Sequence, residues 1–158
     1  MQMPLRLLTA TQRRKRLYPT IATIFRAHDL YPSWGLAFAY VESNFRPWVV
    51  TNSGGDGKRG GAWGLFQMTF LTARGLGFMG IANELLDLHL NTRLAAKLIY
   101  QNKSNYGDLE NIAARYNSGK IYILSPQSTR EYCKRIIEKQ AYYAGIGADE
   151  FTAPKPAA

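Results

Sequence analysis

The chain has 158 residues, of which 46% are hydrophobic and 13% aromatic, which is enough to bury the core of one domain. Its formal net charge of +9 favours a polyanionic partner, and nucleic acid, anionic lipid and a bacterial wall all remain open on this ground. Cys133 is the only cysteine, which excludes an intramolecular disulfide, so we expect a fold that does not depend on an oxidising compartment.

The N-terminal residues 1–18 are basic and are predicted to form a leader outside the folded domain. They include the run Arg13-Arg14-Lys15-Arg16, but no apolar stretch of signal-peptide length and no small-residue cleavage site. No later stretch approaches the ~20 apolar residues that cross a bilayer. We therefore expect a protein without a signal peptide or a transmembrane segment.

The first helix is predicted to begin at Pro19. Ile21, Ile24 and Phe25 then fall on one apolar stripe at helical spacing. His28 lies on the same stripe, and no second histidine or cysteine stands at a ligand-like spacing from it. We interpret His28 as a core or boundary residue and predict no metal site.

The second helix is predicted to start at Pro32-Ser33 and to end at Glu42-Ser43, after a strongly apolar run. Apolar surroundings disfavour the charged form of a carboxyl group, so the pKa of Glu42 should rise. Such a group holds a proton near neutral pH and can give it to a leaving oxygen. The alternative, a surface glutamate in a last helical turn, is mildly disfavoured by the helix dipole.

A glycine-rich loop, residues 51–61, follows this helix and leads into the short apolar segment 62–68. The loop lacks the Gly-Lys-Ser/Thr ending of a nucleotide-binding loop, and its one acid, Asp56, suits a turn. The segment after it is suited to a small strand or extended turn. Within it, Gln67 offers an amide with donors and an acceptor.

The second half of the chain is predicted to form three more helices. One runs from Asn83 to Tyr106 and is ended by Gly107, the next is capped by Asp108, and the last runs from Ser125-Pro126 to about Tyr143. Residues 146–158 are predicted to be a flexible tail. The prediction is thus a single, compact, mostly α domain over residues 19–145, with a short extended or β segment.

Together these segments resemble the lysozyme-like superfamily, most closely the lytic transglycosylases and the goose-type lysozymes that cut peptidoglycan. The motifs that carry the resemblance occur in the order of the family and span roughly residues 33–140. They are Glu42-Ser43, Gly64-Leu65-Phe66-Gln67, Asp87 to Leu98, Arg115-Tyr116-Asn117 and Ser128-Thr129-Arg130-Glu131-Tyr132. The chain departs from the family pattern at Phe66 for Met, Arg115 for Ala and Ser128 for an acid.

The resemblance implies an α+β lysozyme-like fold whose active-site cleft lies between the second helix and the segment 64–68. It implies Glu42 as the catalytic acid, with no metal or cofactor. The residues that it implies for substrate binding are Ser43, Gln67, Tyr116, Asn117 and Trp63. The hydroxyl of Tyr116 is expected beside the scissile sugar, where it holds the substrate or orients Glu42. Trp63, like Trp48, is either a core residue or a platform on which a sugar stacks.

The two families that share these motifs use different chemistry after bond cleavage. In lytic transglycosylases, which have a single catalytic acid, the substrate's own 6-hydroxyl closes a 1,6-anhydro ring. Goose-type lysozymes add water with help from acids in the loop. Asp56 is the possible second carboxylate here, but Thr69 stands where goose-type enzymes often have another acid. We therefore predict a transglycosylase and keep the hydrolase as the alternative.

Two further alternatives belong to other classes. The cluster Arg13 to Arg16 and the many tyrosines are compatible with a nucleic-acid-binding module, although no recognition motif accompanies them. The second alternative is a wall-binding or virion protein with this fold but without catalytic activity. The presence of all the motifs together argues against this alternative. We expect peptidoglycan strands and not nucleic acid as the partner, and a monomer.

The absence of a leader suggests where such a wall-degrading protein would be made. We expect a phage protein that is synthesised in the host cytoplasm and acts on periplasmic or cell-wall peptidoglycan, either in host lysis or as part of the virion.

Overall fold

The computed structural model describes residues 1–51 and 61–152, and this part of the chain is mostly helical. Its α-helices are α1 (Ala10–Ala27), α2 (Pro32–Ser43), α3 (Phe70–Gly75), α4 (Leu88–Tyr106), α5 (Leu109–Ser118) and α6 (Gln127–Gly145). Short 3-10 helices occupy Leu5–Leu7, Ala82–Leu86, Tyr122–Leu124 and Ala148–Glu150. The predicted mostly α fold with a short β segment is confirmed. No helix in the described ranges has both the length and the apolarity to cross a membrane.

The β segment is a small antiparallel sheet beside the helices. Its strands are β1 (Val50–Thr51), β2 (Ala62–Trp63) and β3 (Met68–Thr69), in the spatial order β1-β2-β3. The register pairs Val50 with Trp63, and Trp63 in turn with Met68. The tight turn 64–67 therefore joins β2 directly to β3.

Helix α2 is the central element of the domain. It packs against α1 and α6, and the 3-10 helix Ala148–Glu150 contacts it as well. Leu36, Ala37 and Phe38 are all fully buried, and no face of the helix is uniformly polar. A helix that is apolar all round lies inside a domain. The C-terminal residues of α2 are consequently delivered into the interior and not to the surface.

The close approach of α1 to α2 requires Gly35. A Cβ atom at this position would lie 2.6 Å from Cγ2 of Ile21 and 2.9 Å from Cδ1 of Phe25. Both of those side chains are fully buried and have no free space into which to move. The absence of a side chain therefore sets the distance between the two helices.

Two of the predicted helix starts are wrong. Helix α1 begins at Ala10, where Thr9 and Gln12 form a reciprocal capping box, and Pro19 lies inside the helix. Pro19 is exposed, so water can satisfy the carbonyl group to which its missing N–H would have donated. Helix α4 begins at Leu88, not near Asn83, because the Asp87 side chain accepts from the Leu90 amide.

Segments that were predicted to lie outside the domain at both ends of the chain contribute to its packing. The predicted boundary between residues 18 and 19 lies within α1, so residues 10–18 continue a helix of the domain. In the predicted tail, residues 146–158, Ala148 is buried and its carbonyl accepts from the Tyr18 hydroxyl at 2.6 Å. The part of this tail up to residue 152 is thus held against the helices, and residues 153–158 lie outside the described residues.

We predict that Gly35→Ala destabilises the protein by about 1–2 kcal/mol. Overpacking a filled core costs about 1–3 kcal/mol, and the better helix propensity of alanine offsets at most about 1 kcal/mol of this. Gly145→Ala is the matched control, because a Cβ atom there meets nothing within 4 Å. Urea unfolding should show a loss at Gly35 and none at Gly145, and equal effects would contradict the packing argument.

Candidate active site

Glu42 lies in the last turn of α2, next to side chains from α5 and α6. The Tyr132 hydroxyl of α6 donates a hydrogen bond to Oε1 of Glu42 at 2.5 Å. Burial raises the pKa of Glu42 to about 7, and the Tyr132 hydrogen bond and the charge of Arg135 lower it only in part. The carboxyl group is therefore close to half protonated at neutral pH, and it can both give and accept a proton.

Tyr132 is a site residue that the sequence analysis quoted in a motif but gave no function. Its side chain is 9% exposed, and burial, followed by the charge of Glu42, raises its pKa well above the usual value. It therefore remains a neutral hydrogen-bond donor. The motif Thr129-Arg130-Glu131-Tyr132 was the signal available, since Tyr132 shares an α6 face with the buried residues Cys133 and Ile136.

Tyr116 also lies in the site, but its hydroxyl group does not donate to Glu42. Its hydroxyl donates to the Phe66 carbonyl at 2.7 Å, and its ring packs on Phe38 with centroids 4.9 Å apart. Burial, and then the charge of Glu42, raise its pKa well above the usual value. Tyr116 therefore tethers the turn 64–67 to α5, while Tyr132 makes the hydrogen bond that orients Glu42.

The Ser43 side chain joins α2 to the turn and does not face an open cleft. It is 2% exposed, and its Oγ donates to the Leu65 carbonyl at 2.7 Å or to the Ala39 carbonyl at 3.2 Å. The same oxygen accepts from the Arg46 amide at 3.1 Å. This geometry does not support the predicted substrate contact, because the hydroxyl is already enclosed by protein groups.

The Gln67 side chain is similarly occupied. Its Nε2 donates to the carbonyls of Val49 at 3.1 Å and Gly64 at 3.0 Å, and its Oε1 accepts from Thr51 Oγ1 at 2.5 Å. Both amide hydrogens are used, so Gln67 fixes β1 against the turn. A contact in which Gln67 donates to the carbonyl of an N-acetyl group would therefore require one of these bonds to break, whereas Oε1 keeps one lone pair for an N–H donor.

Asn91 organises the turn and was not predicted as a site residue. It is fully buried; its Oδ1 accepts from the Phe66 amide, and its Nδ2 donates to the carbonyls of Trp63 and Leu85, each at 2.8 Å. These contacts leave no room at Gly64, whose φ of +76° also favours glycine. Asn91 was visible in the sequence only as part of the motif Asp87 to Leu98.

The remaining predicted site residues are less enclosed. Trp63 is partly buried, and its Nε1 finds no hydrogen-bond partner in residues 1–51 and 61–152. Asn117 is exposed, and its Oδ1 accepts from Thr129 Oγ1 at 2.8 Å. Asp56 lies outside the described residues. Within the described ranges, no three His, Cys, Asp or Glu side chains are grouped as metal ligands would be.

This chain belongs to the transglycosylase SLT domain family, whose profile matches residues 21–136. Two solved structures share the fold: an inactive mutant of lytic transglycosylase Slt from Pseudomonas aeruginosa, with a TM-score of 0.66 and 21% identity, and the 70 kDa soluble lytic transglycosylase from Escherichia coli, with 0.61 and 22%. The matches cover 82% and 80% of this chain, respectively, but only 24% of either enzyme. No curated protein sequence matches the chain. The predicted lysozyme-like superfamily is confirmed.

We predict that Glu42→Gln stabilises the protein at alkaline pH. A carboxyl group whose pKa is about 7 when folded and 4.5 when unfolded favours the folded state fully below pH 4.5, and this contribution is lost as pH rises through 7. Glu42→Gln has no titrating group here, so its free energy of unfolding should gain about 3 kcal/mol on that of the wild type as pH rises from 4.5 to above 7. Urea unfolding as a function of pH measures it, and a stability difference independent of pH would contradict the burial of Glu42.

We predict that Tyr132→Phe raises the pKa of Glu42, because it removes a hydrogen bond that lowers this pKa. An NMR titration of the Glu42 carboxyl carbon should therefore show a midpoint at higher pH than in the wild type. Tyr116→Phe is the matched comparison, since its hydroxyl donates to Phe66. A midpoint that moves in Tyr116→Phe and not in Tyr132→Phe would return the orienting role to Tyr116.

Proposed function

We propose that this protein is a lytic transglycosylase that cleaves the β-1,4 bond between N-acetylmuramic acid and N-acetylglucosamine in peptidoglycan. The observation that carries this proposal is the Glu42 carboxyl group in the last turn of α2, which accepts a hydrogen bond from Tyr132 and whose pKa desolvation raises to about 7. It is supported by membership of the transglycosylase SLT domain family. The proposal requires no metal or cofactor.

In the first step, the protonated carboxyl group of Glu42 gives its proton to the oxygen that bridges the two sugars. The bond from this oxygen to C1 of the muramic acid breaks, and positive charge develops on that sugar. The N-acetylglucosamine leaves with a free 4-hydroxyl group. Tyr132 then stabilises the carboxylate that remains, because its hydroxyl already donates to Oε1.

In the second step, the 6-hydroxyl group of the same muramic acid attacks C1. Its proton passes to the Glu42 carboxylate, which restores the acid, and the product carries a 1,6-anhydro ring without consumption of water. A single group whose pKa lies near neutral pH serves both steps well. The hydrolytic alternative would need a second carboxylate to position a water molecule, and Asp56 is the candidate for that role.

One edge of α6 next to the site suits an acidic polymer. Arg135 and Lys139 on this edge form no ion pair within the described residues. The Lys139 Nζ lies 4.1 Å from the ring centroid of Tyr40 and 5.5 Å from that of Tyr142. The cations on this edge can bind the carboxylates of the wall, and the aromatic rings beside Lys139 can stack on its sugars. We therefore favour peptidoglycan as the partner of this basic protein.

We further propose that the protein is phage-encoded and reaches the wall during host lysis or as part of a virion, and that it acts as a monomer.

The test is mass spectrometry of the fragments released from purified peptidoglycan. We expect 1,6-anhydro-muramic ends, which are lighter by one water than hydrolytic ends and are not reduced by borohydride. Glu42→Gln keeps the shape and removes the titrating proton, so turnover should fall by ~10²–10⁴-fold or more while binding persists. Asp56→Asn is the control and should change the rate little, because Asn shares the turn preference of Asp.

Each other outcome selects a different function. Reducible ends in the wild-type digest, together with a large loss in Asp56→Asn, would make the protein a hydrolase of the goose type. Full activity of Glu42→Gln would reject Glu42 as the catalytic acid. Wall binding without fragments would favour an idle structural protein, and tight DNA binding without wall cleavage would favour a nucleic-acid-binding module.

A further inference from the structure

The C-terminal end of α2, which carries Glu42, is held by an arginine from outside the family match. Arg13 lies on α1 before residue 21, where the match begins, and its side chain is only 8% exposed. Its Nη2 donates to the Asn44 carbonyl at 3.3 Å, and its Nη1 donates to the Leu8 carbonyl. Its guanidinium also lies 5.6 Å from the ring centroid of Trp48. One side chain thus joins the N-terminal segment to the chain that follows Glu42.

The backbone at Asn44 and Phe45 is strained and needs to be stabilised by side chains from elsewhere in the chain. Asn44 and Phe45 have φ values of +52° and +58°, and consecutive left-handed residues other than glycine are unfavourable. Phe45 is also 1% exposed, so the chain must turn sharply back into the core. A second guanidinium helps, because Arg46 Nε donates to the Ser43 carbonyl at 2.7 Å. Cations at this end also match the sign that the helix dipole favours.

The opposite end of α2 is held by a residue on the other side of the family match. Asp149 accepts from the backbone amide of Ser33 at 2.7 Å and from its hydroxyl at 2.8 Å. A carboxylate is the favoured charge at a helix N-terminus. Ser33 is nine residues from Glu42, which is about 14 Å along the helix. Asp149 therefore stabilises the same helix without reaching the Glu42 carboxyl group.

We propose that Arg13 is a positioning residue for Glu42: by fixing the Asn44 carbonyl, it keeps the last turn of α2 in the place where the carboxyl group is enclosed by α5 and α6. Arg13 does so through backbone geometry. Among residues 1–51 and 61–152, the charged and titratable groups that face Glu42 itself are Tyr132 and Arg135 from α6 and Tyr116 from α5. The cleavage rate, as one test of this inference, rests on the proposed function, but the titration of Glu42 does not.

Loss of the Arg13 hydrogen bonds and loss of the Arg13 charge have opposite effects on the pKa of Glu42. If the last turn of α2 loosens in Arg13→Met, water reaches the carboxyl group and its pKa falls from about 7 towards 4.5. If the variant acted only by removing a positive charge, the pKa of Glu42 would instead rise. The direction of the change therefore separates positioning from simple electrostatics.

The experiment titrates the Glu42 carboxyl carbon by NMR in the wild type, Arg13→Met, Arg13→Lys and Asp149→Asn, and measures urea unfolding of each. We expect Arg13→Met and Asp149→Asn both to lose stability, but only Arg13→Met to lower the pKa of Glu42, by about one unit or more. Arg13→Lys keeps the charge but cannot donate to both carbonyls in a fork, so it should lower this pKa less. It also provides the measurement if Arg13→Met does not fold.

The rate of peptidoglycan cleavage gives the second readout, at a temperature at which every variant is folded. We expect kcat of Arg13→Met to fall about 10–100-fold with KM changed less than about twofold, because a small displacement of the acid costs much. The alkaline limb of the pH–rate profile of Arg13→Met should move to lower pH, and Asp149→Asn should keep the pH–rate profile of the wild type. An unshifted Glu42 pKa in the folded Arg13 variants, or the same profile in Asp149→Asn and Arg13→Met, would overturn the proposal. Failure of the proposed function would appear separately, as undiminished activity of Glu42→Gln.

Discussion

The helices of this domain are arranged around one partly desolvated carboxyl group, that of Glu42. Helix α2 is apolar all round, and Glu42 lies in its last turn, next to Tyr132 of α6 and Tyr116 of α5. Burial at that point raises the pKa of Glu42 to about 7, although the ordinary value is 4.5. The hydrogen bond from Tyr132 moderates this shift without abolishing it. The domain therefore accepts an unfavourable charge at neutral pH, and the same feature makes the group a useful proton donor.

Hydrogen bonds from three side chains fix the shape of the turn 64–67. Asn91 bonds to three backbone groups around the turn, Tyr116 donates to the Phe66 carbonyl, and Ser43 donates to the Leu65 carbonyl. Buried polar side chains whose hydrogen bonds are all made specify one backbone arrangement, since any other would leave groups unpaired. Several residues that the family resemblance associated with substrate therefore contribute rigidity here. Through Ser43 and Tyr116, the turn is held in a fixed relation to α2 and α5.

The family match covers residues 21–136, but the folded domain extends beyond it in both directions. Arg13 and Asp149 lie on opposite sides of that match and hold opposite ends of α2. Each carries the charge that the helix dipole favours at its end. The basic N-terminal sequence thus has a local structural use besides its contribution to net charge. Under the proposed function, Arg13 is a cation that holds the fold, whereas Arg135 and Lys139 are the cations proposed to meet the acidic wall.

Strong local signals in the sequence predicted several helices and the place of the acid at the end of one of them. Pro32 starts α2, Asp108 caps α5, and the apolar run before Glu42 predicted its desolvation, because these signals depend on neighbouring residues. Helix packing, in contrast, determines that Tyr132, 90 residues away, and not Tyr116, donates to Glu42. It also decided that Ser43 and Gln67 turn towards protein carbonyls, and that Arg13 belongs to the folded domain. Hydrogen bonds between distant segments depend on how helices pack, and local sequence patterns carry no information on that.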